Sequence, residues 1–578
     1  MVVAPNPDTQ ISLMLIEAGL TAIAVGIAFA MPRIGASWFS AIERSFKGIA
    51  RRKGLSVALV GCSALLLRLA ILPFCPIPLP FVQDDFSFLL AANTFASGRL
   101  ANPTPPMWVH FESIQITLQP TYMSMYFPAQ GLLLAAGKVL FGHPWFGLLI
   151  VNALMCAAIC WMLQAWLPPT WALLGGVIAV LRIALFSYWI NTYSGGGSVA
   201  ALGGALLLGG LPRFIRTRRL RDSLLMGVGV SLLALSRPYE GLLLCVPVGF
   251  VLGRWMCFGD KRPSFGFVAR RIALPLALVV GAVAWLGYYD YRAFGNPLTP
   301  PYSVDRAEYA AAPYYIWQSP RPEPVYRHKV IHDFYVVEEL GYAKHLHTVS
   351  GFIEENIFFK PLRTLLFFAG VALIPPLIML RRVFLDRRTR FLLVCVAIVI
   401  AAVMVETWLI PHYFAAITPA FYALGLQMMR HLRQWKPGGQ PVGIAIQRFT
   451  VALCVVLAAV RLGAEPLHLS LAKWPSGSWA ATWHGPGQLG LPRKLIEDKL
   501  NKIPGKKLVM VRYSPDHSSL DEWVYNAPDI DRANVIWARE MDAVHNQELM
   551  DYYKDRSVWL VQPDEMPVGL APYGANGR

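Results

Sequence analysis

The chain has 578 residues, 55% of them hydrophobic and only 15% charged, with a formal net charge of +17. Apolar runs of roughly 16 to 22 residues recur along most of it, about what a bilayer core requires, which excludes a soluble protein of this length. The positive charge is not a nucleic-acid footprint, because Lys and Arg gather between the apolar runs instead of forming one basic domain, as positive-inside topology requires.

The first apolar run, Ile11 to Met31, has no basic segment before it and is long for a signal peptide, so it reads as a retained span. Five basic stretches follow along the chain: Arg33 to Lys53, Arg213 to Arg221, Lys261 to Arg271, Arg381 to Arg390 and Arg430 to Arg448. Assigning all five to the cytoplasm makes residues 55–76 run outward. Spans near 145–165, 171–190 and 197–212 then bring the chain back to Arg213. That odd count works only if the apolar piece 127–141, with its Lys138, lies in the outer interface as a helix and does not cross. Further spans near 222–236, 240–256, 272–289, 362–380, 391–409, 413–429 and 449–464 bring the total to about twelve crossings. The eight cysteines, Cys156, Cys160, Cys245 and Cys395 among them, sit in or beside apolar runs, where neither a disulfide framework nor a metal site is built.

This topology collects four regions on the outer face: the first loop 77–144, the turn Ser236-Arg237-Pro238-Tyr239-Glu240, the long loop 290–361 and the C-terminal segment from about 465. The short connection through Pro411 and His412 joins them. In the first loop stands an acidic pair, Asp84-Asp85, just past the outer end of a span. Side-by-side carboxylates repel each other and are costly to dehydrate, so a compensating partner is expected; a solvated helix cap accounts for either one alone. In the long loop, Gly295-Asn296-Pro297 and Pro300-Pro301-Tyr302 read as turn and extended chain. Tyr314, Tyr315, Trp317, Tyr326, His328 and His332 add an aromatic and imidazole-rich surface, which reads first as a membrane-interface belt and second as a face for sugar rings or isoprenoid chains. Arg237 and His412 each sit in a short outer turn between two spans, with Glu240 pairing with Arg237 or capping the next span. Lys360 and Arg363 flank the start of the following span, as exceptions to the positive-inside bias.

The tail reads as a small α/β unit, preceded by a polar stretch from Trp474 to Gly490. Strands are expected at 507–513, 534–538 and 557–561, separated by helices near 519–526 and 543–553. Ser514-Pro515-Asp516-His517 follows the first strand where a nucleotide site would need a Gly-rich loop. The domain reading is an N-terminal span with a basic segment over 1–54, a membrane-embedded region over 55–464, and an extracytoplasmic α/β domain over 465–578.

Three stretches carry a family resemblance: Asp84-Asp85-Phe86-Ser87-Phe88 with Ala91-Ala92 and Ser97-Gly98-Arg99-Leu100, Tyr126-Phe127-Pro128 through Phe141-Gly142, and His412-Tyr413-Phe414 to Thr418-Pro419. In their topological order they resemble the glycosyltransferase-C (GT-C) superfamily, in particular the protein-mannosyltransferase-like and the aminoarabinose or core sugar transferase-like enzymes that use polyprenyl-phosphate sugars. The resemblance spans roughly residues 55–430 and departs at Asp85, where many relatives carry Glu. It implies interfacial helices in the first outer loop, and transfer of a hexosyl or pentosyl group to a lipid, glycan or protein acceptor, with inversion and Asp84 as general base. Asp85 would orient the acceptor, bind a divalent ion such as Mg or Mn, or raise the pKa of its neighbour. No further Asp or His lies at ligand spacing, so no metal is required.

The expected site therefore holds Asp84 and Asp85 at the reacting bond, Arg237, His412, Lys360 and Arg363 on the donor phosphate, and Tyr126, Glu240, Tyr302 and Tyr413 on the substrate. A transporter or lipid flippase is the competing class; it would place charges near the midplane or repeat its halves, whereas here charges sit at span ends. A third reading is a non-catalytic scaffold that displays the tail. The outer segments carry no Asn-x-Ser/Thr sequon and no paired cysteines, which fits a bacterial inner membrane with the active site and tail on the periplasmic side.

Overall fold

The computed structural model describes residues 7–258, 262–464, 467 and 490–574. The connection expected from Trp474 lies outside the described residues. The chain is mostly helical, with a small C-terminal sheet. Six described helices are long and apolar enough to cross a membrane: Lys53–Ala70, Trp145–Trp166, Gly197–Thr217, Pro238–Cys257, Gly266–Phe294 and Val442–Gly463. Met14–Ala30, Pro169–Ala184 and Arg390–Val403 are apolar but shorter.

Of the about twelve expected crossings, four segments are interrupted, while Leu220–Ser236 is continuous but short. Where one helix is expected over 171–190, the helix Pro169–Ala179 widens into a π turn, Val180–Ala184, and a separate turn of helix follows at Tyr188–Asn191. The segment 362–380 breaks after Lys360–Phe368 and resumes as a tight turn at Pro375–Met379, because adjacent prolines supply no N–H to an α ladder. The helix Arg390–Val403 stops early because the next residues pair with the long loop: Ile316 N donates to Val405 O at 3.0 Å and Thr407 N to Tyr314 O at 2.8 Å. The last broken segment opens as a 3-10 turn, Pro411–Ile417, ahead of the helix Thr418–Leu432.

The first loop contains both expected interfacial helices. Gln83–Ala96 starts after an extended Val82 and carries Asp84 and Asp85 in its first turn, where the helix dipole favours anions. Pro128–Phe141 opens on a proline that gives up no needed N–H and stops at Gly142, whose φ of 80° ends the helix. Between them runs a short antiparallel sheet in the order β1-β3-β2, with β1 at Asn102–Pro103, β2 at Ile116–Thr117 and β3 at Thr121–Ser124. Its register sets Ile116 opposite Ser124 and leaves Gln115 just ahead of β2. In the long loop, Pro301 opens a helix, Pro301–Tyr309, so Tyr302 lies in a helical turn and not in extended chain.

The tail forms one four-stranded sheet in the order β5-β4-β6-β7, with β4 at Lys506–Val511, β5 at Val535–Arg539, β6 at Arg556–Gln562 and β7 at Gly569–Pro572. The first three are parallel, and β7, unexpected from the sequence, pairs antiparallel on the edge. The expected helix at 543–553 is present as Ala543–Tyr552, but the one near 519–526 is absent. Its carbonyls are taken by distant side chains instead: Arg493 donates to Trp523 O and Tyr525 O at 3.0 and 2.9 Å, and Ser113 Oγ to Val524 O at 2.5 Å.

The sheet shares a core with the first loop. Phe86, Phe111, Ile116 and Tyr122 pack with Leu508, Met510, Tyr525 and Leu560, and Phe86 stacks on Tyr525 with ring centroids 4.1 Å apart. Arg539 Nε donates to Glu112 O at 2.8 Å across the same boundary. The bundle itself corrects one expectation, that charges lie only at span ends. Glu17 is buried and ion-paired to Arg182 at 3.2 Å and Arg461 at 3.4 Å, drawing together three helical segments far apart in sequence.

Candidate active site

Consecutive helical residues point about 100° apart, so the two carboxylates of Asp84-Asp85 have different surroundings. Asp85 is buried and turned toward backbone: Oδ1 accepts from Tyr193 N at 2.8 Å and Oδ2 from Phe81 N at 3.3 Å. Burial pushes its carboxyl up to about 7, against the pull of these N–H groups and with the Asp84 charge adding to the rise. Each Asp85 oxygen thus accepts a backbone N–H, and the residue fixes the helix start against residues 193 and 81. Asp84 remains partly open, and its Oδ1 lies 2.7 Å from the Tyr126 hydroxyl. Burial also raises its pKa, opposed by the Tyr126 hydrogen bond, by the nearby Gln115 side chain and by the Arg237 charge.

Aromatic rings hold this corner in place. Tyr126 stacks on Phe88 at 4.3 Å and meets the edge of Tyr302 at 5.3 Å. Arg237, at the junction of the helices Leu220–Ser236 and Pro238–Cys257, lies over the Tyr413 ring at 4.8 Å. Its Nη1 pairs with Glu240 at 3.3 Å and its Nη2 donates to Gly195 O at 3.0 Å, so the guanidinium is a fixed cation. Gly195 has a φ of 80°, and a Cβ there would come within 2.6 Å of His412 Nδ1, so only glycine lets this loop reach Arg237.

His412, expected on the donor phosphate, is buried and shares a 2.9 Å hydrogen bond with the Tyr188 hydroxyl, which also accepts the His412 N–H at 3.0 Å. Burial and the Arg237 charge hold its imidazole neutral, so it offers a dipole and not a cation. Lys360 is fully buried, with Nζ donating to Glu406 O at 2.9 Å; burial lowers its pKa to about 8, and its charge reaches Glu406 beside Arg237. Arg363 stands apart, paired with Glu355 at 3.4 Å and partly exposed. The fold thus brings together Asp84, Tyr126, Arg237, Glu240, Tyr302, Tyr413 and His412, sets Lys360 at the edge, and leaves Arg363 out.

Three residues of this corner were missed in the sequence: Gln115, Tyr188 and Glu406. Glu406 had a signal, an acidic residue inside the apolar run 391–409. Gln115 and Tyr188 had none, since their positions depend on backbone far away in the chain.

Below the corner an apolar groove of 440 Å³ descends between the broken helices, lined by Pro361, Thr364, Phe368, Met404, Phe414 and Gly425 among others. Two of its lining residues, Pro361 and Phe414, directly follow Lys360 and Tyr413 in the chain. Among the described residues, no group of three His, Cys, Asp or Glu could hold a metal ion.

Neither a family description nor a curated protein matches the sequence. Solved structures that resemble the chain include ArnT from Cupriavidus metallidurans in its apo state, 12% identical over 88% of this chain and 92% of that one, TM-score 0.46. The same protein bound to undecaprenyl phosphate is 13% identical over the same shares, TM-score 0.46. The Archaeoglobus fulgidus oligosaccharyltransferase complexed with Zn and sulfate is 11% identical over 88% of this chain and 67% of that one, TM-score 0.45.

Proposed function

We propose that this protein is an integral-membrane glycosyltransferase that moves a sugar from a polyprenyl-phosphate donor to an acceptor hydroxyl on the extracytoplasmic side of a bacterial inner membrane. The observation that carries the reading is a partly open carboxyl, Asp84, under the charge of a cation held in place by Glu240, Arg237, in a protein that also contains a deep apolar groove. A prenyl chain fills the groove and brings its phosphate to Arg237, with Lys360 alongside. Asp84 takes the acceptor proton as the acceptor oxygen attacks the anomeric carbon. The bond from that carbon to the phosphate oxygen breaks on the opposite face, its electron pair leaves with the phosphate, and the anomeric centre inverts. Tyr126, Tyr302 and Tyr413 wall the space where the sugar sits, and Glu240 holds Arg237 in place.

The competing transporter or flippase reading draws on the Glu17–Arg182–Arg461 cluster inside the bundle. All three of those groups are ion-paired, and that reading gives Asp84 no task.

Binding of a polyprenyl phosphate to the purified protein, followed by native mass spectrometry, tests the groove. Gly425 lines it, and a Cβ added there meets nothing within 4 Å, so Gly425→Phe fills the groove without displacing the helix. The wild type and Asp84→Asn are expected to retain the lipid, while Gly425→Phe and Arg237→Ala lose most of it. Equal retention by Gly425→Phe would remove the groove from the account.

A further inference from the structure

The Tyr126 hydroxyl lies 2.7 Å from Asp84 Oδ1 and 2.9 Å from Gln115 Oε1. A phenol has one proton, so it cannot donate fully to both oxygens at once. Two arrangements satisfy all three groups. With Asp84 protonated, the carboxyl donates to the Tyr126 oxygen and Tyr126 donates to Gln115 Oε1. With Asp84 ionised, Tyr126 donates to the carboxylate and Gln115 turns its amide over, so that Nε2 donates to the Tyr126 oxygen. The ends of the amide are nearly equal in shape, and half a turn about its last bond interconverts the two.

The backbone at Gln115 is held in place from several sides. Its φ is 62°; among the described residues, Arg218 is the other non-glycine at positive φ. Such a conformation persists where its surroundings over-determine it, and it concentrates at functional sites. Here the Gln115 carbonyl accepts from Ser87 Oγ at 2.8 Å and Met125 N at 3.3 Å, and its N–H reaches the Tyr335 hydroxyl at 3.4 Å. Ser87 lies one turn beyond Asp84 on the same helix, so one element positions both the carboxyl and the amide that answers it.

We propose that Gln115 is a positioning residue for Asp84: its amide reverses as the carboxyl gains or loses its proton, keeping Tyr126 bonded to Asp84 in both states. The inference rests on the reading of Asp84 as base. During transfer the acceptor proton goes to Asp84 and stays there until water removes it. No proton leaves the Asp84–Tyr126–Gln115 chain; the hydrogen bonds only change direction. Hydrogen bonds to an ionised group are roughly twice as strong as neutral ones, so loss of the amide weakens the ionised state more and raises the proton affinity of Asp84.

Infrared titration of the whole protein tests this. The carboxyl band that vanishes in Asp84→Asn identifies the group. Gln115→Met keeps the side-chain length without the amide, and Gln115→Gly removes the side chain while easing the backbone. Both are expected to move the Asp84 midpoint upward by about one pH unit, a tenfold change in proton affinity, and to move the acid limb of the transfer rate by the same amount. A midpoint unchanged in both variants overturns the proposal. If instead Asp84→Asn still transfers sugar, the reading of Asp84 as base fails, and a shifted midpoint would still establish the link from Gln115 to Asp84.

Discussion

Asp84 and Asp85 are neighbours in sequence with opposite fates, because a helix turns each toward different partners. Asp85 has its oxygens on backbone N–H groups, and its pKa is raised from 3.8 to about 7 in the folded protein. The folded state therefore holds this proton more tightly than the unfolded chain, so folding loses stability as pH rises between about 4 and 7. Asp85→Asn keeps an oxygen for the Tyr193 N–H and has no proton to lose. Its melting temperature is expected to vary less between pH 5 and pH 7.5 than that of the wild type, as thermal scans in detergent can measure. Parallel pH profiles for the two proteins would show that the Asp85 carboxyl does not titrate in this window. At this scale the sequence announced the acidic pair, Arg237 and the tyrosines, since charge and aromatic type are written in single letters. It did not announce that His412 is buried against Tyr188 or that Arg363 turns to Glu355, because both outcomes depend on packing between segments far apart in the chain.

Among the elements, the first loop and the tail depend on each other. The helix Gln83–Ala96 presents Asp84 on one side and Phe86 on another, and Phe86 stacks on Tyr525 beneath Arg493. Truncating a buried aromatic costs about 3–5 kcal/mol, so Phe86→Ala is expected to loosen the tail from the first loop. Hydrogen exchange would then quicken in both 508–511 and 116–124, well before the membrane helices respond. Faster exchange in the tail alone would mean that the two do not share one cooperative core. Helix 128–141 was legible from Pro128 and Gly142, which mark its ends chemically. The absent helix near 519–526 was not, since local periodicity carries no trace of Arg493 or Ser113 claiming its carbonyls. The early stop of Arg390–Val403 has the same origin, in backbone pairing to residues 314 and 316.

At the scale of the molecule, apolar composition foretold a helical membrane protein, and periodicity overstated how many of its segments are continuous. The interruptions have a use. The apolar groove is lined from both broken stretches, by Ala369, Leu373 and Leu377 of 369–379 and by Met404 and Phe414 of 404–417. The Glu17–Arg182–Arg461 cluster ties the first helix to this broken region, and Glu17 Oε1 also accepts from Ala372 N at 3.0 Å. Everything functional in the account converges on whether a prenyl-linked sugar seated there is passed on by the Asp84 carboxyl. The decisive measurement is the rate of labelled sugar transfer from a polyprenyl-phosphate donor by purified wild-type protein and by Asp84→Asn, each shown to be folded by its melting curve. A general base contributes roughly 10²–10⁴-fold, so the variant is expected to lose at least a hundredfold in rate while still binding the lipid. Transfer by Asp84→Asn at the wild-type rate would contradict the account.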